Sequence, residues 1–181
     1  MRVLEVRRHA MRNKPGEHLS REGIALARLV GTTTGPFDVV VTSPSPRAVE
    51  TAVAMGFAVD ETWQVLCELD DDVFSESGWP APFAALHEMA RRGRHSAAFA
   101  ATQARVWRAV VDKLKEGEHA LIVTHGLFVE LGAVASLPQA SHADWGGPIG
   151  YCEGVRFTFE AGTLCRGEIL RVPPDYYLIK N

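Results

Sequence analysis

The sequence predicts an α/β fold: a three-layer α/β/α sandwich around a mostly parallel central sheet that ends in an antiparallel hairpin. Three observations carry this. Short apolar segments alternate with longer segments of helical periodicity, the pattern of βαβ units. Val39-Val40-Val41 is an unbroken β-branched run, as expected of a strand buried on both faces. Near the end, Val155 to Glu160 alternates apolar and polar residues, and Ala161-Gly162 turns it into a second strand, Leu164 to Val172.

Val3 to Val6 is the first strand and ends at Arg8-His9. Leu19 to Val30 is the first helix, with Ser20 as its cap and Ile24, Leu26, Ala27 and Val30 at helical spacing. Gly35-Pro36 breaks the chain before the second strand, Val39 to Val41, which ends at Ser43-Pro44-Ser45-Pro46. Arg47 to Met55 reads as a helix stopped by Gly56. Trp63 to Leu66 is the third strand, followed by an acidic loop from Glu68 to Glu76. Pro80 and Pro82 mark a boundary, after which Phe83 to Arg92 and Ala97 to Lys115 form two helices separated by Gly93. Ala120 to Val123 is the fourth strand, and Leu127 to Ala135 a helix after Gly126.

A length of 181 residues suits one domain, 1–181, with a small helical cap insert at 80–94. The net charge of −3 argues against nucleic acid or an anionic membrane as partner. Three widely spaced cysteines, Cys67, Cys152 and Cys165, are not a disulfide framework. Met1 to His9 carries charges every few residues, unlike a signal peptide, and there is no apolar run of about 18 residues to span a membrane. The expected location is cytoplasmic.

Ligands of parallel sheets bind beyond the carboxyl ends of the strands. Arg8-His9 follows the first strand, Ser43 and then Arg47 the second, Glu68 the third, and Thr124-His125-Gly126 the fourth. Two arginines and two histidines make an anion pocket, because guanidinium forks match phosphate oxygens. A neutral imidazole with a free nitrogen can attack phosphorus, a second imidazole can neutralise the transferring group, and a carboxyl can protonate the leaving alkoxide. The residues alone therefore lead to a phosphate-handling site. Cys165 to Arg171 matches the C-x5-R pattern but lies in a hairpin strand instead of a glycine-rich loop. His87-Glu88 with His95 lacks the H-E-x-x-H spacing of a zinc site, and no metal is expected.

Four segments resemble the histidine phosphatase superfamily, which includes the phosphoglycerate mutases. Arg8-His9-Ala10 resembles its RHG signature, of which short phosphohistidine phosphatases carry an RHA form. Leu19-Ser20-Arg21-Glu22-Gly23 resembles its LTxxG helix start. Thr42 to Ala52 is similar to its SSPxxRAxxTA segment, and Val123-Thr124-His125-Gly126 to its V-S/T-H-G segment. The resemblance implies a phosphoglycerate mutase-like fold and roles for particular residues. His9 is the implied nucleophile that becomes phosphohistidine. Arg8, Arg47 and His125 bind phosphoryl oxygens, and Glu68 is the proton donor, with Asp70, Asp71 and Asp72 as rivals. Ser43 and Asn13 are further candidates for the substrate, although Asn13 stands at a different offset from the mutases' W-N pair. Ala10 in place of glycine raises the question of whether its Cβ crowds the phosphate.

The leading expectation is a metal-independent phosphomonoester hydrolase without a cofactor, acting on a small phosphorylated metabolite or a phosphoprotein. The alternatives are a phosphoglycerate mutase-type phosphotransferase and a phospho-ligand binding protein without catalysis. The short cap favours hydrolysis over a mutase.

Overall fold

The computed structural model describes residues 1–173 and Tyr176; the remaining residues of the 181-residue chain lie outside the described part. Six strands form one sheet in the order β3-β2-β4-β1-β5-β6. β1 (Arg2–Arg8), β2 (Val39–Thr42), β3 (Glu61–Thr62) and β4 (His119–Thr124) run parallel. β5 (Gly154–Glu160) is antiparallel to β1, and β6 (Thr163–Leu170) to β5. The sheet is therefore mixed, with the hairpin at one edge, as the sequence predicts. Ala161 and Gly162 at its turn both have positive φ, 46° and 78°, the backbone of a tight hairpin turn.

Successive strand residues face opposite sides of the sheet. Val40, Leu121 and Val123 pack with α1 (Arg21–Gly31) and α2 (Pro46–Ala54) through Leu26, Ala27, Val30, Ala48 and Ala52. Leu4, Val6, Val41, Ala120 and Ile122 face the other layer. That layer holds α3 (Asp71–Ser77), α4 (Phe83–Arg92), α5 (His95–Asp112) and α6 (Phe128–Ser136). Burial on both sides explains why β2 and β4 read as continuous apolar runs. Helix α6 is apolar almost all round because it is buried almost all round. A Cβ on its Gly132 would come within 2.3 Å of the Trp107 ring, so this glycine allows α5 and α6 to approach closely.

Local chemistry sets the helix starts. Ser20 Oγ accepts from Gly23 N–H at 3.0 Å, capping α1 as expected. Pro46 occupies the first turn of α2, where its missing N–H costs nothing.

Two expectations need correction. The third strand is Glu61–Thr62, and Gln64–Leu66 is a short 3₁₀ turn. The ladder ends when the chain turns inward to bury Leu66, whose carbonyl accepts from Thr124 Oγ1 at 2.7 Å. The acidic run also contains a helix, α3, where a loop was expected. Asp70 caps it by accepting from Asp72 N–H at 2.8 Å, and Asp71 and Asp72 complement its N-terminal dipole. Only Val73 and Ser77 of α3 face inward, too few for an apolar period to show.

Glu5 and Arg7 are both buried on the α1 side of β1. Glu5 accepts from Arg7 Nε at 2.8 Å, Thr34 Oγ1 at 2.9 Å and Arg156 Nη2 at 2.6 Å. Burial alone would raise the Glu5 pKa, but the two guanidinium groups outweigh it and hold the carboxyl below its ordinary value.

Candidate active site

The carboxyl ends of β2, β4 and β1 lie side by side, in register at Thr42–Val123 and Arg8–Thr124. The ladder continues one residue further on each flank. Ser43 N–H donates to the Val123 carbonyl at 2.9 Å, and His9 N–H to the Thr124 carbonyl at 2.8 Å. Ser43, His125 and His9 are therefore placed by backbone pairing, and Arg47 by the first turn of α2. Arg8, His9, Arg47 and His125 all line one cavity of about 570 Å³.

Arg47 has an arginine's five N–H donors and no acceptor, so any nitrogen it meets must offer a lone pair. Its Nε donates to His9 Nε2 at 3.2 Å, and its Nη2 to His125 Nδ1 at 3.3 Å. Both tautomers follow. His9 carries its proton on Nδ1, which donates to the Ala10 carbonyl at 2.7 Å. His125 carries its proton on Nε2, which donates to Ser43 Oγ at 2.9 Å. The two rings meet edge to face at 5.2 Å. The third arm, Arg47 Nη1, is ion-paired with the Glu17 carboxylate from the first loop.

Arg8 is held differently. Its guanidinium stacks over the rings of Tyr151, at 4.4 Å, and Trp79, at 5.2 Å, and donates to the Ile149 carbonyl at 2.9 Å. Behind it, the fully buried Glu130 of α6 accepts from Trp79 Nε1 at 3.1 Å and from Ile149 N–H at 3.0 Å. One carboxyl thus fixes two groups that hold Arg8. Burial raises the Glu130 pKa. Gly126 completes the packing, since a Cβ there would lie 2.4 Å from the Trp79 ring. Leu127 then enters α6 at φ 56°, a strained conformation for a branched residue beside the cavity.

The other expected residues are less well placed. Ser43 is fully buried and supports His125 instead of lining the cavity. Asn13 is exposed, its side chain donates to the Leu19 carbonyl at 3.4 Å, and it lines an adjoining cavity with Arg12, Lys14 and Tyr151 instead of this one. A bridge between Arg12 and Leu19 folds the first loop back on itself and carries Asn13 outward. Glu68 is exposed and outside the cavity lining, although its neighbours Cys67 and Leu69 are both in it. Ala10 is fully buried in the apolar cluster of α1 and α2, so its Cβ does not crowd the cavity.

Sequence reasoning missed Glu17, Glu130 and Tyr151. Only Glu130 had a visible signal, as the single charge in the apolar helix Phe128–Ser136.

The histidine phosphatase superfamily (branch 1) family model matches residues 5–165. The chain belongs to this superfamily. No curated protein matches it, but solved structures of superfamily type share its fold. A phosphoserine phosphatase from Entamoeba histolytica, solved with 3-phosphoglyceric acid, is 17% identical with a TM-score of 0.70, over 95% of this chain and 98% of its own. A mycobacterial glucosyl-3-phosphoglycerate phosphatase is 19% identical with a TM-score of 0.63, over 93% and 96%. A phosphoglycerate mutase from Bacillus anthracis is 16% identical with a TM-score of 0.62, over 90% of each chain. At these identities the likeness concerns the superfamily fold, and the site must be read from this chain's own geometry.

Burial, with His125, Arg8 and Arg47 nearby, lowers the His9 pKa from 6.5 to about 3, against the opposing bond to Ala10. Burial, then Arg47 and Arg8, lowers His125 to about 3 as well. Both rings are neutral at neutral pH. The unfolded chain, with histidine pKa values of about 6.5, takes up protons first as pH falls. The stability contributed by the two neutral rings is complete above pH ~6.5 and is lost as pH drops towards 3. The urea midpoint is expected to fall between pH ~7 and ~5, above the carboxylate range. A double variant, His9→Gln with His125→Gln, should lose most of that slope; a flat wild-type midpoint over this window would contradict the assignment.

Proposed function

We propose that the protein is a metal-independent phosphomonoester hydrolase that works through a phosphohistidine on His9. One observation carries this reading: His9 lines the cavity with Nδ1 2.7 Å from the Ala10 carbonyl and Nε2 accepting from Arg47 Nε–H at 3.2 Å, a pattern that puts the ring's lone pair on Nε2. In the proposed first step Nε2 attacks phosphorus and the ester oxygen leaves with a proton. In the second, water attacks the phosphohistidine and gives a proton back to the carboxylate that had protonated the leaving oxygen; the P–N bond breaks, inorganic phosphate is released and the free imidazole is restored. Arg8, Arg47 and His125 meet the charge on the phosphoryl oxygens. Glu17 holds an anion's place on Arg47, and a substrate phosphate displaces it.

Glu68 is the proposed proton donor. Its carboxyl, like that of Asp71, has no hydrogen bond or ion pair among the described residues, whereas Asp70 caps α3 and Asp72 pairs with His95 at 3.6 Å; of the two, Glu68 stands between the lining residues Cys67 and Leu69. Hydrolysis is favoured over mutase chemistry by the cavity walls. A mutase must hold both phosphoryl groups of a bisphosphate. The α3–α6 side offers Leu69, Phe74 and Phe128, and apart from Arg8 and Arg47 the cationic lining residues are Lys14 and Arg12, the latter already donating to the Pro15 and Gly16 carbonyls.

Turnover of p-nitrophenyl phosphate is expected to survive EDTA and to fall by about 10³-fold or more in His9→Ala; full turnover by that variant would end the mechanism. Glu68→Gln is expected to slow alkyl phosphates by about 10²-fold or more while barely affecting p-nitrophenyl phosphate, whose leaving group needs no proton. Equal slowing of both would move the donor role to another carboxyl.

A further inference from the structure

The cavity is far larger than a phosphoryl group requires. Its 570 Å³ falls in the range of about 300–1,000 Å³ that accommodates whole organic ligands. The rest of the substrate must therefore pass the walls around His9, and these walls are unequal. On the α3–α6 side the lining side chains are Leu69, Phe74, Trp79, Leu127 and Phe128, together with the Cys67 thiol. None of them has a hydrogen-bonding group to spare. Trp79 Nε1 is committed to Glu130, and the Cys67 thiol donates to the Gln64 carbonyl at 3.2 Å. A polyol pressed against this wall would exchange water for unpaired contacts.

The wall is also firm. Phe128 is 2% exposed, packs edge to face on Phe99 at 4.9 Å and lies 5.5 Å from the His125 ring. Phe74 is the contrast. It is 51% exposed, although Val73 and Ser77 of the same helix are buried. It is one of four exposed large apolar side chains among the described residues, and it stands in the lining of this cavity. Its ring is open to whatever enters the cavity, and an apolar ligand group lying on it would remove that surface from water.

We infer that Phe74, with Leu69, Trp79 and Phe128, forms a specificity subsite for the organic part of the substrate, and that the substrate class is phosphomonoesters with a flat or apolar body instead of a polyol. The inference deepens the hydrolase reading and rests on it for the place of the phosphate, which stays on Arg8, Arg47 and the two histidines. Phe74 itself selects the substrate and takes no part in the chemistry.

The test separates binding from turnover. Non-hydrolysable phosphonates, 2-phenylethylphosphonate and 2,3-dihydroxypropylphosphonate, are titrated calorimetrically into the wild type and Phe74→Ala, whose exposed position leaves the fold intact. The phenyl compound is expected to bind about 30-fold more tightly to the wild type, and Phe74→Ala to weaken it about five- to tenfold while leaving the diol within about twofold. Equal affinities in the wild type, or equal losses in the variant, would overturn the subsite. The matching esters, 2-phenylethyl phosphate and glycerol 1-phosphate, both have alkoxide leaving groups, so a rate preference between them reports recognition of the body. Preferential binding without any hydrolysis of the esters would keep the subsite and remove the hydrolase reading; hydrolysis without preference would do the reverse.

Discussion

A guanidinium group can only donate hydrogen bonds, and the site is organised around that constraint at Arg47. Two of its nitrogens face imidazoles and the third faces a carboxylate. Each imidazole must present a bare nitrogen to Arg47 and put its proton on the opposite side of the ring. The protein supplies an acceptor at each of those far positions, the Ala10 carbonyl for His9 and Ser43 Oγ for His125. Burial among cations keeps both rings from taking up a second proton. The unliganded protein thus holds both rings neutral and oriented, and under the proposed mechanism a phosphate ester has to replace Glu17 and draw the Arg47 Nε–H away from His9 Nε2 before that nitrogen can attack.

The fold delivers these groups through strand register. His9 and Ser43 are the residues after the two strands that flank β4, and His125 follows β4 itself. Backbone bonds at 2.8 and 2.9 Å extend the ladder into the site and fix the main chain at His9 and Ser43 on either side of β4. Arg8 depends on the other layer. Its stacking on Trp79 and its bond to the Ile149 carbonyl both trace back to Glu130, a carboxyl that never reaches the cavity lining. The sheet places the histidines and the first turn of α2 places Arg47, while α6 and the segment before β5 hold the Arg8 guanidinium.

The legible parts of the sequence were those where local chemistry and tertiary role coincide. Val39 to Val41 must be apolar because it is buried on both faces, and Arg8, His9, Arg47 and His125 sit just beyond strands or in a first helical turn. Ser20 and the Ala161-Gly162 turn were readable for the same reason. The misreadings came where a residue's place is set by distant partners. Helix α3 is held by Asp70 capping and two inward residues, so its acidic surface read as a loop. β3 was displaced because Leu66 is pulled into the core. Glu17 comes to Arg47 from a loop with no pattern of its own. Glu130 pairs with a tryptophan 51 positions away, a relation that no local spacing shows.

The central claim is that Arg47 and the Ala10 carbonyl together leave Nε2 as the reactive nitrogen of His9. Phosphoenzyme trapped from a slow substrate under alkaline quench, digested and examined by ³¹P NMR and mass spectrometry, tests this most directly. The account predicts an acid-labile phosphoryl group on His9, attached at Nε2. A phosphoryl group at Nδ1, or on any residue other than His9, would contradict it.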